Sequence, residues 1–302
     1  MGTPEFAVPS LRRLHHSDHE VISVVTSPDK PAGRSLKLCE SEVKVAAKGL
    51  RIPILQPEQL NDPSFLDEIR RIEADIGVVV AFRILPPSLF ELFPKGCVNL
   101  HPSKLPDLRG AAPINWALIR GYTETGITTF LIEKRVDVGN ILLQTKVSID
   151  PDDDAGRLSE RVSEMGAQLI VQTLDGIEKG ELKPTPQEGK VTLAPKITRE
   201  LCEINWDKSA SELRNLIRGV SPIPCAFTYL NGKMLKIFKA TVLHSSTKLT
   251  VGSVIGDCKD EIRVQCGEGM LLIDELQLEG KKRMTSGEFL RGRTIPKGTI
   301  LG

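Results

Sequence analysis

Short apolar runs alternate with longer mixed stretches through the first 145 residues. Residues 20–26 (EVISVVT), 52–55, 76–82 (IGVVVAF), 97–101 (CVNLH) and 127–132 have strand length and are rich in Val and Ile. That is the pattern of strands buried on both faces. Between them, residues 63–73 and 112–120 read as helices. The alternation predicts an α/β fold with a Rossmann-like, mostly parallel sheet. Residues 154–179 carry the longest helical pattern, with Leu158, Val162, Met165, Leu169, Ile170 and Leu174 recurring at helical spacing.

The pattern changes after residue 180. Residues 183–196 are rich in Pro, Thr, Gln and Gly, and residues 183–202 are assigned as a linker. A helix over 209–219 follows, then short strands at 226–230, 234–243, 252–255, 261–266 and 270–278. Asn231-Gly232 between two of these runs is a strong hairpin signal. A small OB-like β-barrel is expected. The organisation is therefore an α/β domain over 1–182, the linker, and a β-barrel domain over 203–302. No internal repeat is present.

A length of 302 residues agrees with two domains. Hydrophobic content of 40% and charged content of 26% are those of a soluble globular chain. The net charge of +1 carries no global nucleic-acid signal, but it is unevenly spread. Residues 203–302 hold 15 Lys and Arg against 11 Asp and Glu, whereas the first 202 hold 25 against 28. A basic C-terminal third points to a polyanionic partner, and a solvated surface accounts for the charge equally well. The six cysteines form no C-x-x-C pair and have no His at ligand spacing, so neither a zinc site nor a disulfide framework is indicated. No apolar run approaches a membrane span, and no signal peptide opens the sequence.

Strand alternation places Asn99 and His101 on one face of 97–101, opposite Val98 and Leu100. The pair sits at the carboxyl end of the strand, before a Pro-interrupted loop, where open α/β sheets bind ligands. Polar groups in an apolar sheet are costly unless hydrogen-bonded or used. Satisfying local backbone explains the pair as well as function does, on this pattern alone.

The longer run NLHPSKLPDLRGAAP from Asn99, with TGIT at 125–128 and DVG at 137–139, resembles the 10-formyltetrahydrofolate formyltransferases. That family carries N-x-H-x-S-L-L-P-x-x-R-G-A-A-P, T-G-V-T and D-x-G-D, with 36 positions between the His and the Asp, as between His101 and Asp137 here. The resemblance implies catalysis by Asn99, His101 and Asp137 and folate contact by Ser103, Lys104, Leu105 and Pro106. Formyl transfer passes through a tetrahedral carbon bearing an oxyanion, toward which Asn and His side chains can donate. A carboxylate beside the His can fix its tautomer, raise its pKa and receive protons. No metal is required. Lys104 stands where the family has Leu, a change that a backbone contact survives. Residues 80–86 (VAFRILP) replace A-Y-G-x-I-L-P.

The opening M-G-T-P-E-F-A-V-P-S-L, TSPDKPAGRSLKL over 26–38, LAPKI over 193–197 and the basic C-terminal domain resemble the branch of the family that formylates charged initiator tRNA. Lys30, Arg34 and Lys37 are then the cations facing its acceptor arm. The resemblance implies an enzyme of translation initiation, with folate and tRNA as partners and no membrane association. It also implies a monomer in the bacterial-type cytoplasm, or an organelle if a targeting segment lies upstream of Met1. A sugar-nucleotide formyltransferase shares the core but lacks P-A-G-R and L-A-P-K-I. A catalytically dead tRNA-binding relative is disfavoured by retention of all three catalytic residues, and a nicotinamide dehydrogenase by the lack of G-x-G-x-x-G after any strand. Glycinamide ribonucleotide formyltransferase ordinarily lacks the C-terminal domain. Finally, Thr3-Pro4-Glu5 reads as a helix start with Thr at the N-cap. In the family an apolar central strand runs into this M-G-T-P, which predicts five or six apolar residues of strand upstream of Met1.

Overall fold

The computed structural model describes residues 1–32, 37–243, 249–255, 261–292 and 294–302. Its contacts divide the chain into two compact units. The first comprises Met1–Pro113, Glu124–Ser148 and Ser159–Ala194; the second comprises Ile114–Thr123, Ile149–Leu158 and Pro195–Gly302.

The first unit opens with helix α1 (Val8–His15), strand β1 (Val24–Val25) and a hairpin of β2 (Lys30–Ala32) and β3 (Lys37–Cys39). Helix α2 (Glu42–Leu50) is capped by the Ser41 side chain, which accepts from Lys44 N–H. Strand β4 (Ile54–Leu55) pairs with β1 in parallel. Helix α3 (Pro63–Ile72) starts as its sequence dictates, with Asp62 at the N-cap and Pro63 at the first helical position. Then come β5 (Gly77–Val80), α4 (Pro87–Phe90) and β6 (Cys97–His101), with β5 and β6 parallel. After helix α5 (Pro113–Ile119), nearly all of which belongs to the second unit, β7 (Glu124–Leu131) pairs antiparallel to β6, and β8 (Ile141–Ser148) pairs antiparallel to β7. The sheet therefore reverses direction after β6, and β8 runs against β7 because the loop between those two strands is too short for a crossover. Helix α6 (Ala155–Glu178) includes Gly166, where an added Cβ would lie 2.7 Å from Leu100 Cδ2. The helix backbone thus lies close against β6.

Two expectations at the N-terminus change. Thr3 does not cap a helix: its Oγ1 bonds Ser27 Oγ at 3.0 Å, and a 3-10 turn over Glu5–Ala7 precedes α1. Strand β1 spans two residues rather than seven. Met1 and Gly2 occupy a strand position beside it, with Gly2 N–H donating to Val25 O, Val80 N–H to Met1 O, and the Met1 ammonium to Val78 O at 2.7 Å. Beyond them a cavity of about 310 Å³ lies among Val21, Ile22, Ile76, Phe93, Leu174 and Ile177. Residues 20–23 border this space and gain no ladder partner, so the strand stops. Burial of the Met1 ammonium lowers its pKa from 8.0 to about 6.

In the second unit, α7 (Arg199–Cys202) leads to α8 (Ala210–Val220), which begins in a capping box of Ser209 and Glu212. Strands β9 (Ala226–Leu230), β10 (Lys233–Leu243), β11 (Val254–Ile255), β12 (Ile262–Gln265), β13 (Met270–Leu278) and β14 (Met284–Thr285) follow, then α9 (Ser286–Arg291). The antiparallel order is β11-β12-β13-β10-β9, with β14 on β13. Asn231 (φ 49°) and Gly232 (φ 73°) make the expected β9–β10 turn. The curled sheet is a half-barrel whose two ends are linked by the final residues: Leu301 N–H donates to Gly252 O, and Gly302 N–H to Tyr229 O. Trp206, Leu213, Ile217, Leu235, Ile237 and Leu276 lie in its core.

Candidate active site

Strand β6 carries the two polar candidates, Asn99 and His101. His101 is 5% exposed, and its neighbours Val98 and Leu100 are buried in the sheet. Asn99 is half-buried, and its side chain has no hydrogen-bond partner among the described residues. His101 Nε2 lies 3.0 Å from Leu108 O. A carbonyl only accepts, so Nε2 carries the proton and the neutral ring leaves Nδ1 bare. Nδ1 faces Asp137 Oδ2 at 3.9 Å. Burial holds the imidazole pKa below its ordinary value, against the opposing pull of Asp137 and the Leu108 carbonyl and with a smaller contribution from Arg109. The expectation of a raised pKa is reversed because desolvation wins, and the tautomer is fixed by the Leu108 carbonyl rather than by the carboxylate.

Asp137 sits at φ 54°, in the left-handed region, at the β7–β8 turn. Its Oδ2 accepts the Gly110 N–H at 2.9 Å. Two residues on, a Cβ at Gly139 would lie 1.6 Å from Leu131 O, so no side chain fits there. The remaining motif residues hold the loop after β6. Thr128 Oγ1 donates to Ser103 O and accepts from Leu105 N–H and Gln144 Nε2. At Gly126 a Cβ would lie 2.9 Å from Lys104 Cβ and 2.8 Å from Thr145 O, so glycine lets the loop approach β7.

The folate candidates divide. Ser103 is fully buried and donates to Asp107 O at 2.5 Å, so it shapes the loop rather than facing a ligand. Lys104, Leu105 and Pro106 line a cavity of about 580 Å³ with Gln144, Pro186 and Lys190. The wall combines the Gln144 amide, two lysines and the apolar Leu105, Pro106 and Pro186 with the carboxylates of Asp107 and Glu188. Of the tRNA candidates, Lys30 is exposed on β2 of the hairpin, Arg34 lies outside the described residues, and only the backbone of Lys37 is described, in β3. Among the described residues, Lys30 has no hydrogen bond or ion pair to the cluster around His101. The hairpin also presents Leu38, 69% exposed.

Sequence reasoning missed a strap. Residues 183–194, read as part of a linker, lie along the first unit. Gln187 Nε2 donates to Asp137 O at 3.0 Å and Gly139 O at 2.9 Å, while its Oε1 accepts from Arg109 Nε and Nη2 at 3.1 and 2.6 Å. Ala194 exchanges backbone bonds with Arg109 and Ala112, and at Gly110 a Cβ would come 2.6 Å from Ala194 O. Arg109, Gly110 and Asp137 are thereby tied into one frame with His101. The signal was present only as Pro and Gly punctuation with an embedded Gln.

Comparisons with known proteins decide the family. The family model described as Formyl transferase matches residues 1–174, and that described as Formyl transferase, C-terminal domain matches residues 196–294. The chain belongs to the formyl transferase family. It is 46% identical over 304 aligned residues to a methionyl-tRNA formyltransferase of Caldanaerobacter subterraneus subsp. tengcongensis, covering 100% of this chain and 98% of that one. Among solved structures, an N-formyltransferase from Helicobacter canadensis, in complex with folinic acid and dTDP-3-aminofucose, is similar with TM-score 0.64 and 19% identity over 90% of this chain and 96% of that one. A methionyl-tRNA formyltransferase from Clostridium thermocellum is similar with TM-score 0.51 and 21% identity over 66% and 84%. These two share the fold. Among the described residues no group of His, Cys, Asp and Glu could hold a metal ion, and no helix is long and apolar enough to cross a membrane.

Proposed function

We propose that this enzyme transfers the formyl group of 10-formyltetrahydrofolate to the amino group of methionyl initiator tRNA, in the cytoplasm and as a monomer. The observation that carries the acceptor is identity of 46% running the full length of a methionyl-tRNA formyltransferase, through the C-terminal unit as well as the catalytic one. In this reading residues 1–182 carry the chemistry, residues 203–302 hold the tRNA, and Lys30, Arg34 and Lys37 meet its phosphates. Lys104, Leu105 and Pro106 receive the folate.

The geometry supports a division of labour. The attacking amine forms the new C–N bond and must lose a proton. His101, neutral with Nδ1 bare, accepts that proton directly or through water, and Asp137 stabilises the imidazolium that results. Asn99, with its amide unspent, donates to the oxyanion; such a donor is typically worth about 3–4 kcal/mol. As the bond to the folate nitrogen breaks, that nitrogen takes up a proton and the carbonyl reforms. The test is a transfer assay offering charged initiator tRNA, charged elongator tRNA and an amino-sugar nucleotide together. Preferential formylation of the initiator supports the reading; preference for the sugar nucleotide overturns it.

A further inference from the structure

In the second unit, Arg214 and Arg218 lie one turn apart on the same face of α8 and line a cavity of about 340 Å³ with Tyr122, Pro151, Ser211 and Asn215. Each guanidinium is tied at one edge. Arg214 Nη2 donates to Pro151 O at 2.5 Å, and Arg218 Nε donates to Asn215 Oδ1 at 3.0 Å. Among the described residues their other N–H groups have no acceptor, and neither pairs with a carboxylate. Like charges one turn apart repel, which argues for an anion between them. Arg218 is half-buried; burial and its neighbour Arg214 lower its pKa, with Asp153 opposing. Asp153 is itself buried and accepts the Asp150 N–H at 2.7 Å.

We propose that this cavity is a phosphate site, with Arg214 and Arg218 as its anchoring cations, and that its occupant is a backbone phosphodiester of the bound RNA. The planar guanidinium fork matches phosphate oxygens two at a time, and anchoring one edge pre-orients the rest. The exposed Ser211 hydroxyl and the Asn215 amide supply further polar groups at the wall. The choice of RNA rests on the proposed function and on the excess of cations in residues 203–302, 15 against 11 acids.

The test uses the full chain and uncharged tRNA, with affinity measured by fluorescence anisotropy across a salt series. Arg214→Gln and Arg218→Gln should each lower affinity ~5–20-fold at low salt and lower the log–log salt slope, by ~0.7–0.9 in total for the one phosphate they share. Arg218→Lys should keep the slope but lose part of the affinity, since the charge stays and the fork goes. Ser211→Glu puts an anion at the wall of the cavity in the first turn of α8, where an acid is favourable to the helix, and should give the same loss without disturbing packing. In parallel, inorganic phosphate should shift the Nε resonances of both arginines, and tRNA should displace it. An unchanged slope in both Arg218→Gln and Ser211→Glu refutes the site. Phosphate that binds but is not displaced by tRNA refutes the RNA assignment. Wild-type chain that binds tRNA in this arginine-dependent way yet transfers no formyl group upholds the site and rejects the functional reading.

Discussion

Replacement of Gln187 by Ala removes the two donors that hold the carbonyls of Asp137 and Gly139 and the acceptor on Arg109. Each lost hydrogen bond is worth ~0.5–1.5 kcal/mol, so the carbonyl pair contributes about 1–3 kcal/mol to this turn. Asp137 holds a left-handed conformation that costs a non-glycine residue about 1 kcal/mol, so the turn has reason to relax once released. A loss of 1–3 kcal/mol in the population of the competent turn lowers turnover by roughly 5–160-fold, at 1.36 kcal/mol per factor of ten. The KM for the folate donor should move less than turnover, because Leu105 is held separately by Thr128 and Gln144, while Pro186, Glu188 and Lys190 of the same cavity ride on the strap beside Gln187. Gln187→Glu sharpens the test. It keeps an acceptor for Arg109 but cannot donate to the two carbonyls, so it should be as impaired as Ala. Initial rates of formyl transfer at saturating tRNA across pH 6–9 provide the assay. Normal turnover in Gln187→Glu would show that the donors do not position Asp137.

Asn99→Ala, His101→Ala and Asp137→Ala should each lower kcat by ~100-fold or more, with double mutants falling well short of the product; near-normal rates for Asp137→Ala across neutral pH rule out its role. Stability should rise with pH in the 302-residue chain. The Met1 ammonium titrates near 6 folded and 8.0 unfolded, so the unfolded state binds more protons between those values and folding gains about 2–3 kcal/mol from pH 6 to 8. His101, also lowered, adds in the same direction as pH rises toward its unfolded value of 6.5. Urea midpoints at pH 6, 7 and 8 measure this; a flat profile contradicts it, and blocking the amine should remove the Met1 share. Gly139→Ala should cost ~3 kcal/mol or more or abolish folding, since its Cβ would overlap Leu131 O; a soluble variant with wild-type Tm refutes that.

The elements legible in the sequence are those whose side chains alternate against a core. Strand β6 put Asn99 and His101 on one face, and α6, α8 and the Asn231-Gly232 hairpin carried their own periodicity or turn chemistry. The less legible parts are held by backbone atoms. The His101 tautomer depends on a carbonyl at Leu108, whose residue type says nothing about it. Strand β8 buries Leu142 and Val147 among exposed residues, too sparse a signal for a strand. The strap pairs Thr185 with Ile141 and Leu193 with Arg109 through backbone bridges, so its composition read as a linker. Strand β1 failed the other way: its residues are strand formers, but a ladder also needs a partner, and residues 20–23 have none.

The second unit is assembled from three stretches of chain, because Ile114–Thr123 and Ile149–Leu158 belong to it as well as Pro195–Gly302. Helix α8 meets the first of these at Gly219, where a Cβ would lie 2.6 Å from Ile119 Cγ1, and Asn115 donates to Gly219 O. For gene recombination this makes the second unit poor cargo. A crossover placed near residue 195 would import α8 without the two short stretches shaped to receive it. Productive exchange between relatives needs three coordinated breakpoint pairs, so new acceptor preferences should arise by substitution in place rather than by shuffling of whole units.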